Sequence, residues 1–289
     1  MPFTRDYLTA YAFPETRQSY SERDAILYAL GLGIGDCPTD RAQLRFTYEK
    51  DLDVLPTMAV VLAHPGFWAG NSELGIDWTK MLHGEQGLSL FRSLPCRGDV
   101  VGRSRICDVV DRGEEKGALL YYERDIVDAS SGELIATSRQ TLVCRGNGGF
   151  SDEESTPPPE LHAVPTRAPD HVRELKTLPQ MALLYRLSGD LNPLHADPDV
   201  ATKAGFERPI LHGLATYGIG GRVILDNVCG SDPARLKSFD VRFTAPVFPG
   251  ETIRTELWVD GNIVSLRSEA VGRGKIIMDN GRAEIAPVP

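Results

Sequence analysis

The stretch Tyr185-Arg186-Leu187-Ser188-Gly189-Asp190-Leu191-Asn192-Pro193-Leu194-His195-Ala196-Asp197-Pro198, followed by Phe206-Glu207-Arg208-Pro209-Ile210-Leu211-His212-Gly213, organises the chain. It sets a carboxylate and an imidazole five positions apart around an Asn-Pro step, and its final His-Gly step opens an apolar run. A helix would place positions 190 and 195 about 140° apart around its axis, and a strand would separate them by roughly 17 Å. A turn brings them together instead, because Pro193 cannot continue a helix and pushes Asn192 into extended geometry. Beyond it, 213–228 reads as a long helix, apolar at Leu214, Tyr217, Val223 and Ile224.

Working outward, 177–187 reads as a helix with Thr177 as N-cap and Ser188-Gly189 as terminator. Segments 238–245, 251–259, 262–271 and 275–285 read as strands, with strict alternation in Phe239-Asp240-Val241-Arg242-Phe243. The same order of elements occurs earlier. Ser21 caps a helix over 20–31 whose apolar positions are Ile26, Leu27 and Leu30. Gly31-Leu32-Gly33-Ile34-Gly35 ends it; a dinucleotide loop would follow a strand and carry different spacing. A short apolar segment, 55–63, offers one or two helical turns before Pro65-Gly66 stops it, and strands follow at 88–92, 99–110, 117–128 and 133–144. A duplicated α+β unit results, with halves at 1–150 and 164–289. Between them, the acidic, proline-rich 151–163 is a linker stiffened by proline.

The two halves differ where chemistry is concerned. Gly189-Asp190 is followed by His195, whereas Gly35-Asp36-Cys37-Pro38-Thr39-Asp40 has no histidine nearby. The first half also has the shorter central helix, which is expected to leave room for a bulky ligand. Composition narrows the classes further. The chain has 289 residues, 42% hydrophobic and 25% charged, as in a soluble globular protein. A net charge of -9 argues against a nucleic-acid surface. Five scattered cysteines without a Cys-x-x-Cys pair suggest neither disulfides nor zinc, and point to a reducing compartment. No apolar run reaches bilayer length, the first residues show no signal-peptide pattern and the last are no peroxisomal address, so the expected location is the cytoplasm.

The Ser-Gly-Asp-x-Asn-Pro-x-His-x-Asp-Pro core and the Arg-Pro-Ile-Leu-His-Gly step resemble the signature of the MaoC-like (R)-specific enoyl-CoA hydratases. Tyr-Ser-Glu-Arg-Asp-Ala, Leu-Pro-Thr, Leu-His-Gly-Glu-Gln and Lys-Gly-Ala-Leu extend the likeness over nearly the whole chain, in particular toward the hydratase part of the peroxisomal multifunctional enzyme type 2. The resemblance implies a double hot-dog fold, two tandem units that each wrap an antiparallel sheet around a helix. It also implies syn addition of water to a trans-2-enoyl-CoA, giving the (R)-3-hydroxyacyl-CoA. By motif, Asp190 and His195 become the catalytic pair, Asn192 completes a polar cage, and the Gly213 amide at a helix start stabilises charge on the thioester oxygen. No metal or redox cofactor is implied, since coenzyme A belongs to the substrate. A homodimer is implied as well.

Other residues receive plainer expectations. His212 and His83 read as structural, His64, His162 and His171 as solvated, and Asp197 as the N-cap of a short helix. Arg208, and Lys116 with Gly117 in the 113–117 loop, are candidates for the coenzyme A phosphates. Some smaller members of the family carry a serine eight positions after the oxyanion glycine, where this chain has Gly221. Two rivals to the hydratase are a dehydratase acting on acyl-carrier-protein substrates and a non-catalytic acyl-CoA binding module.

Overall fold

A strand with one apolar and one polar face must cover its apolar side. The computed structural model, which describes residues 3–151 and 160–287, shows two sets of strands doing so together. Strands β1 (Thr16–Tyr20), β2 (Met81–Leu90), β3 (Gly98–Asp111), β4 (Ala118–Asp128) and β5 (Leu134–Cys144) come from the first half. The second half supplies β6 (His171–Lys176), β7 (Leu236–Phe243), β8 (Thr252–Asp260), β9 (Ile263–Ala270) and β10 (Lys275–Ile285). All ten form one sheet in the order β1-β3-β4-β5-β2-β7-β10-β9-β8-β6. Read outward from the centre, β2-β5-β4-β3-β1 and β7-β10-β9-β8-β6 share one topology, so the repeat seen in the element order is a repeat in space. The seam is the antiparallel pair β2 and β7, in register from Glu85 opposite Arg242 to Ser89 opposite Ser238.

Among the described residues six α-helices accompany the sheet: α1 (Arg5–Thr9), α2 (Glu22–Gly31), α3 (Arg41–Thr47), α4 (Met181–Tyr185), α5 (Pro198–Lys203) and α6 (Gly213–Asn227). Helix α6 is buried at every position from Leu214 to Leu225, and all of these but Thr216 and the ion-paired Arg222 are apolar, glycine or aromatic, as expected of a helix enclosed on all sides. Truncating a core residue such as Ile224, 0% exposed, would cost about 2–5 kcal/mol. Small residues let its neighbours come close. A Cβ at 218 would lie 2.7 Å from the Leu32 side chain, and one at 221 would lie 2.5 Å from Thr57 Cγ2. Gly221 is therefore where the first half's counterpart of α6 rests, a 3-10 turn at Pro56–Val60 whose five residues are all buried.

Several local expectations are corrected. Helix α4 starts four residues after Thr177, because the Thr177 hydroxyl is engaged between β6 and β8. It donates to Glu251 O at 2.8 Å and accepts from Gly250 N at 2.9 Å. Ser21 and Asp24 do start α2, the carboxylate accepting from Ser21 N at 2.8 Å. The face that α2 buries, however, is Ala25, Tyr28 and Ala29, leading to Leu32, while Leu30 is 40% exposed. Its smaller residues are what allow contact with α4, where Gly31 abuts Tyr185. Strand β2 begins at Met81 rather than 88, since Gly84 to Gly87 carry little apolar signal but keep the ladder with β5. Edge strands β1 and β6 are polar and short, as edges tend to be, and left no alternation to read. Most of the expected linker, 152–159, lies outside the described residues.

Candidate active site

Helix α4 gives way to a 3-10 turn, Arg186–Ser188, and Gly189 reverses the chain with φ +123°, a conformation that glycine adopts without strain. Asp190 follows, half-buried, its Oδ1 accepting from Asn192 N at 3.1 Å. Asn192 is extended at ψ 122° as the following proline demands, and its own Oδ1 accepts from Leu194 N at 3.0 Å, capping the turn Pro193–His195. Asp197 caps α5 through Asp199 N at 2.9 Å, and Asp197 N donates to Pro193 O at 2.7 Å. These local bonds fold residues 190–197 back so that His195 turns inward and is buried.

Two backbone carbonyls fix the histidine tautomers. His195 Nδ1 lies 2.9 Å from Ile210 O, and since a carbonyl only accepts, Nδ1 carries the proton and Nε2 keeps a lone pair. His212 Nε2 donates to Asp190 O at 3.1 Å, which leaves its Nδ1 as the acceptor, buried and without a partner among the described residues. The His195 and His212 rings stack with centroids 3.7 Å apart. One donor atom from each of Asp190, His195 and His212 falls within 4.8 Å of the others. His212 thus bonds a loop backbone, as expected, and also packs directly on the His195 ring.

A carboxylate and two imidazoles could suit a transition ion, but the stacked rings, with 28° between their planes, aim their in-plane lone pairs in separate sheets, a poor fit for one ion at about 2.0–2.1 Å from both nitrogens.

Burial keeps the imidazoles neutral. It lowers the pKa of His195, and takes His212 down to about 4 with help from the charge that His195 would carry. His83, whose ring edge faces Phe243, is lowered by burial to about 4. His64 is lowered to about 3 by burial and then by the Arg124 guanidinium. His64 is therefore partly buried rather than solvated, and His162 bonds Ser265 Oγ at 2.7 Å. Both His64 and His83 lie in the field of Asp190. No spacing in the sequence signals this, because the two come from a segment and a strand of the other half.

Gly213 is the first residue of α6, with His212 as N-cap, so its N–H has no partner inside the helix and sits at the positive end of the dipole. The fold does not itself require glycine there. Its φ is not left-handed, and a Cβ would meet the Phe243 ring at an ordinary 3.6 Å. Asn192 is exposed and its carbonyl is spent on the turn, so it stands beside the Asp190, His195 and His212 group rather than within it. Arg208 is exposed, paired with Glu207 at 3.5 Å and lying over the Phe248 ring at 5.1 Å. Lys116 is exposed in the hairpin between β3 and β4, where Gly117 holds φ +74°. Among the described residues neither Arg208 nor Lys116 bonds Asp190 or His195.

Comparison with known proteins identifies the family and the fold. The MaoC-like domain family matches residues 160–280, and the MFE-2 hydratase 2 N-terminal domain matches 18–146. A peroxisomal enoyl-CoA hydratase 2 from Arabidopsis thaliana is 39% identical over 291 residues, covering 96% of this chain and 94% of that protein. The crystal structure of a MaoC-like dehydratase from Phytophthora capsici superposes with a TM-score of 0.85 at 32% identity, over 98% of this chain and 99% of the other. A Mycobacterium tuberculosis protein described as having a double hotdog fold shares the fold alone, with a TM-score of 0.57 at 15% identity over 95% and 94% of the two chains. With its double hot-dog sheet, its paired domains and its close relatives, the chain belongs to the MaoC-like hydratase family, in the two-unit form of the MFE-2 hydratase 2 proteins.

Proposed function

We propose that the protein is a hydro-lyase that reversibly adds water to trans-2-enoyl-CoA to give the (R)-3-hydroxyacyl-CoA, in fatty-acid or related acyl-CoA metabolism. The observation that carries this reading is the convergence of the Asp190 carboxylate with a neutral, buried His195 and with His212, the residue that precedes the first amide of α6. Asp190 and His195 hold one water. As its oxygen bonds to Cβ, the Cα–Cβ double bond opens and the electron pair moves toward the thioester oxygen, where the Gly213 N–H opposes the growing charge. The dyad takes one proton from that water and returns it to Cα on the same face, so a whole water molecule is added. No step requires a metal or redox group, because the thioester itself acidifies the α-proton.

The test is direct. Purified protein incubated with trans-2-decenoyl-CoA should lower the enoyl-thioester absorbance and yield the R alcohol. An S product, or no turnover at any chain length, overturns the reading. Rates on coenzyme A and carrier-protein thioesters would separate it from the dehydratase rival. A net charge of -9 would repel the broad acidic surface of a carrier protein unless a local basic patch offsets it, which ranks the dehydratase second. Tight acyl-CoA binding without hydration would mark a binding module instead. Arg208, Lys116 and Gly117 stay candidates for the coenzyme A end, and Asn192 for ordering the turn around the water. We further propose a homodimer, to be checked by light scattering. All five cysteines are unpaired, which suits a reducing compartment such as the cytoplasm, although the Arabidopsis thaliana relative is peroxisomal. Among the described residues no helix is long and apolar enough to cross a membrane.

A further inference from the structure

The largest fully buried side chain among the described residues is a cation, Arg124 of β4, 0% exposed. Buried charges are normally paired with opposite ones. Arg124 belongs to no ion pair among the described residues. Its Nη2 donates to Val60 O at 2.6 Å, while its Nε and Nη1 have no well-formed hydrogen bond among the described residues. The Tyr122 side chain, whose hydroxyl bonds Ser104 Oγ at 2.7 Å, is the polar group that offsets part of its burial. A lone buried guanidinium is costly, so a fold that keeps one gains something else by it.

The carbonyl that Arg124 holds is the informative part. Val60 is the last residue of the 3-10 turn that stands in the place of the long helix. The four residues after it lead from Arg124 to the candidate active site. A Cβ on Gly189 would find Val61 O as its neighbour at 3.9 Å, and His64 lies in the fields of both Arg124 and Asp190. Two further devices pin this segment. Ala63 adopts φ +49°, a left-handed conformation unfavourable for alanine, and its N–H donates to Gln18 Oε1 at 2.5 Å. Gly102 leaves clearance, since a Cβ there would lie 2.3 Å from Ala63 O and 3.2 Å from Arg124 Cδ.

We propose that Arg124 is a positioning residue of the site. By holding Val60 O it fixes residues 60–64 against Gly189 and Asp190, doing with one side chain what the missing helical turns do in the other half. The role reaches the chemistry only through that segment, and its activity readout rests on the hydratase reading above.

The experiment uses the full-length protein with Arg124→Met and Arg124→Lys. On trans-2-decenoyl-CoA, Arg124→Met should lower kcat at least tenfold with KM changed less than threefold, and Arg124→Lys should recover part of the loss. The thermal midpoint of Arg124→Met should be no lower than that of the parent, because a buried unpaired charge has been removed. A purely structural residue would show the opposite pattern, a lower midpoint with unchanged kcat per folded molecule, and that result overturns the proposal. So does a kcat within twofold of the parent. Hydrogen exchange read without substrate separates this inference from the hydratase reading. Peptides covering 58–66 and 186–192 should lose protection in Arg124→Met while the rest of the sheet keeps it, whether or not the parent hydrates enoyl-CoA. Unchanged protection in both peptides overturns the proposal; an inactive parent with lost protection overturns only the reading of the reaction.

Discussion

Two loops in equivalent places have been put to different use. Each opens on a glycine with positive φ a few residues beyond a helix, Gly35 at +97° after α2 and Gly189 at +123° after α4 and its 3-10 turn, and each glycine is followed by an aspartate. Each then runs to an aspartate that caps the next helix, Asp40 on Ala42 N and Asp197 on Asp199 N, both at 2.9 Å. From Asp36 to Asp40 is four steps, whereas Asp190 to Asp197 is seven. The three additional positions make room for the Asn192-Pro193 turn, and that turn carries His195 into the interior. In the shorter loop Asp36 stays 53% exposed and reaches Arg222 at 3.4 Å instead. The proposed hydration site thus differs from a helix-capping loop by three positions, with the flanking capping geometry the same.

The comparison can be broken most forcefully at the aspartates. Asp190→Ala and His195→Ala should each lower kcat by up to about 10⁴-fold while circular dichroism and the melting curve stay those of a folded protein. Asp36→Ala, the counterpart, should keep kcat within about threefold. Equal losses at 36 and 190 would erase the asymmetry. The glycines of α6 come next. Gly213→Ala should fold normally, as its Cβ meets only the Phe243 ring, yet lose about 10–100-fold in kcat by crowding the thioester. Gly221→Ala should do the reverse, destabilising by about 1–3 kcal/mol against Thr57 with activity per folded molecule retained. The caps give a smaller and more diagnostic effect. Asp40→Ala and Asp197→Ala should each cost about 1 kcal/mol in denaturant unfolding, but only Asp197→Ala should reduce turnover.

Acidity offers a last, gentler probe. His195 is held below the ordinary histidine value by burial, so the acid limb of kcat/KM should lie below about pH 6.5. For stability, the folded protein keeps His83 and His212 neutral down to about 4, whereas the unfolded chain takes up protons near 6.5. Between those values the unfolded state binds more protons, so stability falls as pH drops from 6.5 toward 4 and is fully present above 6.5. Urea midpoints measured across that window would check the sign, and a midpoint that rises on acidification contradicts it.

Local patterns made much of this legible in the sequence. The Asp190 to His195 turn, the Asp197 cap, the start of α2 and the extent of α6 all rest on bonds between residues a few positions apart. Eight strands were readable because alternation and turn residues mark them; polar β1 and β6 were not, since their stability comes from the neighbour they pair with. The burial of Tyr28 rather than Leu30 depends on how closely α4 approaches, which no periodicity encodes. His64 and His83 lie in the field of Asp190 from the other half, and this proximity is invisible in the sequence for the same reason.

The seam between β2 and β7 has a consequence for concentration. Five residue pairs join the halves there, with both on one chain, so their meeting is an intramolecular event with a high effective concentration. A site whose floor comes from one unit and whose supporting segment, residues 60–64, comes from the other would dissociate on dilution if the units were separate proteins. Here it assembles once, during folding, and its occupancy does not depend on how many molecules are present. Because the units need not match across that seam, one carries a short 3-10 turn, Pro56–Val60, where the other carries the 15-residue α6.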